Sequence, residues 1–450
     1  MMFPKTTAAS VSQVGAKAGL SRRNFLIGGG IAAISLPLLA GCRPSGGGGG
    51  GAKKSYTMWS SSDTVELQKF FYDKYRKEVD PDFELQLSEI PTGQSLRAKV
   101  ISASAAGQLP EVLDLPMNYT SDFATYSMFE PLNGVLADDT ASKYSMYERV
   151  WNWGNSGGVA GWQGGEETFA IPYLMSVFVP AYRADMFRTA GVDFPTTWEE
   201  LITAGKALTK APDSYALMVP TSGDLMDEFH PFLMQAGASY VNDDLTEAFP
   251  DREAAYKGFE FYRDLSGKHG IAPRQAPDRY ASDPAQRLAS GQVAITTLAT
   301  LSVSALQRTG SSMKFGRDSD WFVSPFWAGP GGSKGYYNAS SLSLRRGVKD
   351  SDAIVEYFQW MLEPEQQKLV YTEFNRPPMN TSTWDSFSDD PAFEIYTQAI
   401  ENSERQGGFK GWKLAEFIID RAVEQIVDGG DVKTIVDAAG TDMIQALQNA

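Results

Sequence analysis

From Ser55 onward the chain switches between two hydrophobic periods. Tyr56–Trp59 is a short apolar run that reads as a strand. Leu67, Phe70, Phe71 and Tyr75 then fall on one face of a helix reaching about Val79; Asp63 and Glu66 are spaced as a capping box before it and Pro81 ends it. Phe83, Leu85 and Leu87 alternate with Glu84, Gln86 and Ser88, the period of a strand over Phe83–Ile90. A helix over about Gln94–Ala106 stops at Gly107, and a third strand follows at Glu111–Leu115. Two successive strand-helix-strand crossovers predict a mostly parallel sheet covered by helices. Ligands of such sheets sit outside the carboxyl ends of the strands, which places Ser60–Asp63 and Leu115–Thr120 on one rim.

The later chain repeats these signals. Thr197 and Glu200 form a capping box after Pro195, with Trp198 and Leu201 as the packed face of a first helical turn. Leu288–Gly291 reads as a helix stopped by glycine, feeding the apolar strand Val293–Thr297. Ala255, Phe259 and Tyr262 mark an amphipathic helix over Asp251–Leu265, Asp350–Leu362 is another, and Pro364 starts its successor. Helices of about Leu414–Val427 and Val432–Leu447 finish the chain.

The first 54 residues follow a different logic. Arg22 and Arg23 precede an apolar run, Phe25–Ala40, that is broken by Gly28, Gly29, Gly30 and Pro37 and falls short of the roughly 20 residues a membrane span needs. That order predicts a twin-arginine export signal over residues 1–41. Leu39-Ala40-Gly41-Cys42 resembles the lipobox of bacterial lipoproteins, which implies cleavage before Cys42, acylation there and an extracytoplasmic, membrane-anchored protein. Arg43–Lys54 carries six consecutive glycines and reads as a flexible tether with a reach on the order of 20 Å. It is not a phosphate loop, because Ala52 and a second lysine separate the glycines from Ser55.

Composition narrows the function. Cys42 is the only cysteine, so the chain has no internal disulfide, CxxC motif or Cys/His zinc cluster, and its stability must come from its core. A mature start at Cys42 leaves 409 residues, enough for two domains or one large one. The segment removed holds Lys5, Lys17, Arg22 and Arg23 and no acid, so the net charge goes from -15 to -19. Such an acidic surface argues against nucleic acid or anionic lipid as a partner.

An ordered set of motifs carries a family resemblance. Leu109-Pro110-Glu111-Val112-Leu113-Asp114-Leu115 and Phe129-Glu130-Pro131-Leu132 come first, then Ala170-Ile171-Pro172-Tyr173, Tyr182–Phe187 with Ala190-Gly191-Val192, and Pro195-Thr196-Thr197-Trp198-Glu199-Glu200-Leu201. Leu288–Ile295, Pro325–Gly332, Glu363-Pro364-Glu365-Gln366-Gln367 and Arg376-Pro377-Pro378 continue it over nearly all of the mature chain. The set resembles the extracellular solute-binding proteins of carbohydrate-uptake ABC transporters, the maltose-binding-like group. The resemblance implies an α/β fold of periplasmic-binding-protein type: two lobes, each a mostly parallel sheet flanked by helices, joined by hinge strands. The first lobe would take 55–172 and 333–378 and the second 173–332 and 379–450, with crossings near Ile171–Tyr173, Gly329–Gly332 and Pro377–Met379.

The resemblance also implies a monomer that captures a sugar or related solute between its lobes and delivers it to permease subunits, without catalysis, cofactor or metal. Position within it nominates Ser61, Asp63, Asn118 and Tyr119 from the first lobe and Tyr173 and Ser176 from the crossing region. Asp227, Glu228 and His230 lie in a second-lobe loop, Tyr337 and Asn338 where the chain re-enters the first lobe, and Trp412 at the last helices. Asp63 reads equally as a helix cap, and solvated charges explain the Asp227 group equally well. Trp151, Trp153 and Trp162 could stack on sugar rings or cover a small core. Where many members carry glycine and tryptophan after the strand matching Val293–Thr297, this chain has Leu298-Ala299-Thr300-Leu301, so a stacking platform is absent or supplied by Trp321, Trp327 or Trp412.

Two other classes stay open on sequence grounds: a secreted glycoside hydrolase using two of the 55 acids, and a scaffold lipoprotein. Against an enzyme stand only two distant histidines, His230 and His269, and no HExxH or G-x-S-x-G motif.

Overall fold

The computed structural model describes residues 55–449, apart from 138, 156–158, 160–165, 224, 277–282, 309–311, 406 and the side chain of residue 94. The stretches read from sequence as an export signal and a tether, with Cys42, and also Trp162 lie outside the described residues.

The first three strands form as their patterning dictates. β1 (Ser55–Ser61) pairs in parallel with β2 (Glu84–Ile90) on one side and β3 (Val112–Pro116) on the other, and the helices Val65–Glu78 and Gln94–Ala105 make the crossovers. The first helix begins one residue later than a capping box at Asp63 would set it: Thr64 is the cap residue, and no side chain caps the end. The hydroxyl of Thr64 instead bonds Asp114 at 2.7 Å, so this helix end is fixed through the neighbouring strand.

β4 (Ile171–Tyr182) is the spine of the molecule. Its twelve residues are almost continuously buried, the pattern of a strand covered on both faces. Residues 171–177 pair antiparallel with β10 (Gly335–Leu344), whereas Phe178–Tyr182 pair antiparallel with β6 (Val293–Ala299). β6 in turn pairs in parallel with β5 (Tyr215–Leu217), and β10 continues to β3, so the backbone order β2-β1-β3-β10-β4-β6-β5 runs through both lobes. Parallel pairing joins β1 to both its neighbours, β5 to β6, and the start of β10 to the short strand Ser403–Arg405; the long strands β3, β10, β4 and β6 pair with one another antiparallel. A strand that changes partners between Val177 and Phe178 carries the chain from one lobe to the other.

Two cores flank this spine. One gathers Phe71, Val112, Ile171, Leu342, Tyr357 and Met361; the other gathers Leu201, Phe229, Phe259, Ile295, Trp327 and Ile419. The first core extends past residue 378, where the sequence reading ends the first lobe, through Met379 and the helix Pro391–Asn402. The helices Trp412–Val427 and Val432–Asn449 belong to the second. At Thr197 the expected cap is present: its hydroxyl accepts from the Glu200 N–H, while the Glu200 carboxylate accepts from the Thr196 N–H at 2.8 Å. Trp198 packs flat on Phe261 with ring centres 3.8 Å apart and donates to Gln235, a core role. Among the described residues no helix is long and apolar enough to cross a membrane, and no group of three metal-ligating side chains converges.

Candidate functional site

The carboxyl ends of β1 and β3 meet the crossing strands at a cavity of about 430 Å³, near the lower end of the roughly 300–1,000 Å³ usual for small-molecule sites. Asp63, Asn118 and Tyr119 line it from the first lobe, Ser176 and Asn338 from the crossing strands, and Asp227 from the second lobe. Asn338 donates to Asn118 at 3.2 Å, joining β10 to the helix Met117–Ala124. Tyr119 is held by a bond from its hydroxyl to the Gly93 carbonyl, 3.0 Å, and the Lys413 Nζ lies 4.0 Å from its ring centre.

Beneath this rim lies a buried polar knot. Asp114 is fully buried on β3 and accepts from Ser60 at 2.6 Å, Thr64 at 2.7 Å and Tyr173 at 2.9 Å. Burial outweighs those bonds and pushes its carboxyl up to about 6. Arg376 sits beside it, only 2% exposed, donating to Ser176 Oγ and to the Asp63 carbonyl. Burial lowers its guanidinium below the usual range against the opposing pull of Asp63, Tyr173 and Asp114. On the opposite wall Lys413 is paired with Glu416, both side chains over nine-tenths buried, and burial raises the Glu416 carboxyl.

Six of the twelve nominated positions therefore line the cavity, and six lie elsewhere. Ser61 is buried and exchanges a 2.9 Å bond with Thr64. Tyr173 points under the floor to Asp114; Ser176, an odd number of residues along β4, takes the opposite face. The same alternation on β10 turns Asn338 to the cavity and its neighbour Tyr337 into the first core, edge-on to Trp153, where burial pushes the phenol up to about 12. Asp227, Glu228 and His230 lie in the helix Met226–Gln235 rather than a loop, and only Asp227 turns to the cavity. His230 is buried with Nδ1 2.8 Å from the Tyr240 hydroxyl, and desolvation pushes its imidazole down to about 3. Trp412 is fully buried against Tyr240 and Phe409.

Neither Trp321, Trp327 nor Trp412 supplies a stacking platform, since all three are buried and lie off the cavity wall. Trp153 is likewise a core residue, and a face of Trp151 is packed on the first core. The segment that departs from the family pattern does reach the cavity, through Leu298, Ala299 and Leu301. Sequence reasoning missed Arg376, Lys413, Glu416 and Phe178. An arginine before two prolines at a chain crossing was the available signal for the first, and an acid three residues after a lysine on an apolar helix face was the signal for the next two.

This fold, with two lobes joined by crossing strands, has known parallels. Residues 60–368 match the family described as bacterial extracellular solute-binding protein. The chain belongs to that family. Its sequence is 20% identical over 239 residues to YcjN of Escherichia coli (strain K12), by name an ABC transporter periplasmic-binding protein; the match spans 52% of this chain and about half, 53%, of that relative. Three solved structures share the fold. The GacH receptor of Streptomyces glaucescens, studied unliganded and with acarbose, superposes with a TM-score of 0.74 at 18% identity over 88% of this chain and 98% of its own. A solute-binding protein of an ABC transporter from Thermotoga lettingae, bound with α-D-tagatose, gives 0.75 at 16% identity over 88% and 100%. The maltotriose-binding protein of Thermus thermophilus, bound with maltotriose, gives 0.71 at 15% over 87% and 100%.

Proposed function

We propose that this solute-binding protein is the capture subunit of an ABC importer, closing its lobes on a sugar or related polyhydroxylated solute and delivering it unaltered to a membrane permease. The observation that carries the reading is the cavity itself: hydrogen-bonding side chains enter it from Asn118 on one lobe, Asn338 on a crossing strand and Glu416 on the other lobe. Closing such walls on a solute gives specificity, because each hydroxyl left unmatched in a dry cleft costs about 1–3 kcal/mol. The relatives named for acarbose, tagatose and maltotriose support a sugar as the solute class. The arginine pair, apolar run and Cys42 support export and lipid anchoring of the monomer on the outer side of the cytoplasmic membrane.

Isothermal titration of the mature chain against sugars and polyols, with analysis of the solute afterwards, tests this. Stoichiometric binding with the solute recovered intact is the expected result. Turnover would assign a hydrolase instead, and heat-silent titrations across the panel would leave a scaffold.

A further inference from the structure

We propose that Arg405 is the centre of an oxyanion site outside the interlobe cavity, one that takes a phosphate or carboxylate group on the edge of its guanidinium. Arg405 ends the short strand Ser403–Arg405, which pairs with the start of β10 and sets Arg405 opposite Tyr337. Neither residue lines the cavity. Side chains alternate along a strand, so Arg405 takes the face of Tyr337 and Trp153, and its neighbour Glu404 takes the other. The Arg405 Cζ lies 5.7 Å from the centre of the Trp153 ring. A Cβ on Gly408 would fall 2.5 Å from the Arg405 Nε and 2.6 Å from its Cζ, so a glycine there, at φ +84°, is what admits the guanidinium. The partly buried group is thus seated against an indole and a stretch of bare backbone, yet among the described residues it makes no hydrogen bond and no salt bridge.

The nearest acid is engaged elsewhere. Glu404 accepts from Arg149 Nη2 at 3.3 Å and from Lys334 Nζ at 3.5 Å. Arg149 lies with its Cζ 5.7 Å from the centre of the Tyr337 ring, and its charge repels that of Arg405. Three cations therefore gather about one carboxylate, in a chain whose 55 acids outnumber its 40 lysines and arginines. Such a local excess of positive charge draws anions to a surface that otherwise repels them. Burial lowers the Arg405 guanidinium below its usual range against the pull of Tyr337 and Glu404, so its charge lacks the compensation a partly desolvated cation needs. The Trp153 Nε1–H, buried in the same cluster, has no acceptor either. Donors without acceptors, under a net positive charge, fit a ligand that is anionic and accepts only. The planar fork of an arginine matches two oxygens of a carboxylate or a phosphate bidentately.

The test uses differential scanning fluorimetry and titration calorimetry on the mature chain, with inorganic phosphate and succinate as probes and sodium chloride at matched ionic strength as the reference. At least one probe should raise the melting temperature above the chloride reference and titrate to a single site. Arg405→Gln should abolish that binding, and Arg405→Lys, which keeps the charge but not the fork, should weaken it about tenfold. If Arg405→Gln melts early, Arg405→Lys decides. Preference for phosphate assigns the site to a free or esterified phosphate; preference for succinate assigns it to a carboxylate, such as an acidic side chain on a partner presents. Either supports the site. Binding of neither probe overturns it, as does an Arg405→Lys variant that binds within twofold of the parent. An equal loss in Arg252→Gln, whose cation is paired with Asp437, would show general charge attraction and overturn it too. Each of these outcomes leaves solute capture standing.

Discussion

The Lys413 ammonium lies 4.0 Å over the ring of Tyr119, so a helix from the end of the chain touches one from its beginning across the wall of the cavity. The contact is reinforced next door, where buried Asp122 takes up the backbone N–H of Gly411 and a 3.2 Å bond from Arg97. A desolvated cation over an aromatic face contributes about 2 kcal/mol, which is comparable with the balance between two lobe arrangements. Tyr119→Leu should therefore shift the free protein toward separated lobes, read as a larger radius of gyration in small-angle scattering. An unchanged radius would mean that the contact does not hold the lobes.

Trp412 was nominated for the solute and stands in the core, between Tyr240 and Phe409. Trp412→Ala should cost about 3–5 kcal/mol of stability, the range for emptying a packed aromatic site. Chemical denaturation measures it, and a loss below 1 kcal/mol would place the indole outside the core.

His230 stays neutral in the folded protein down to about pH 3, because burial disfavours its cation. The unfolded chain takes up that proton below about pH 6.5. Between these values the unfolded state binds more protons, so stability rises with pH and falls on acidification by up to about 1.4 kcal/mol per unit from this group. His230→Phe removes that slope: the melting temperature of the parent should drop more steeply than the variant's from pH 6.5 to pH 4. Parallel pH profiles would contradict the burial of a neutral imidazole.

Asp114 acts in the opposite sense. Its folded value of about 6 lies above the ordinary carboxyl range, so between about pH 4 and 6 the native state holds the extra proton. Stability from this group falls as pH rises through that window. The melting temperature of the parent relative to Asp114→Asn should thus improve as pH is lowered from 7 to 5. A constant difference over that range would show that Asp114 does not titrate there.

Much of the fold was legible because period speaks for itself: Phe83, Leu85 and Leu87 could only be one face of a strand, and their strand is there. β4 was harder. Covered on both faces from Ile171 to Ala181, it has no alternation to read, and its change of partner after Val177 depends on contacts far away in sequence. The cavity was legible by region and not by side chain. Asn338 and Tyr337 are neighbours of equally plausible chemistry, and only the register of β10 against β4 decides which one turns inward. Arg376 escaped notice because its role comes from Ser176 and the Asp63 carbonyl, 200 and 313 residues away.

Hydrogen exchange of the mature chain, with and without the solute that titration selects, bears most closely on capture between the lobes. Protection should rise together in the helix Met117–Ala124 and in the first turns of Trp412–Val427, the two elements that present Asn118 and Glu416. Protection confined to one of them, or appearing only at a distant surface, would contradict a solute held by both walls.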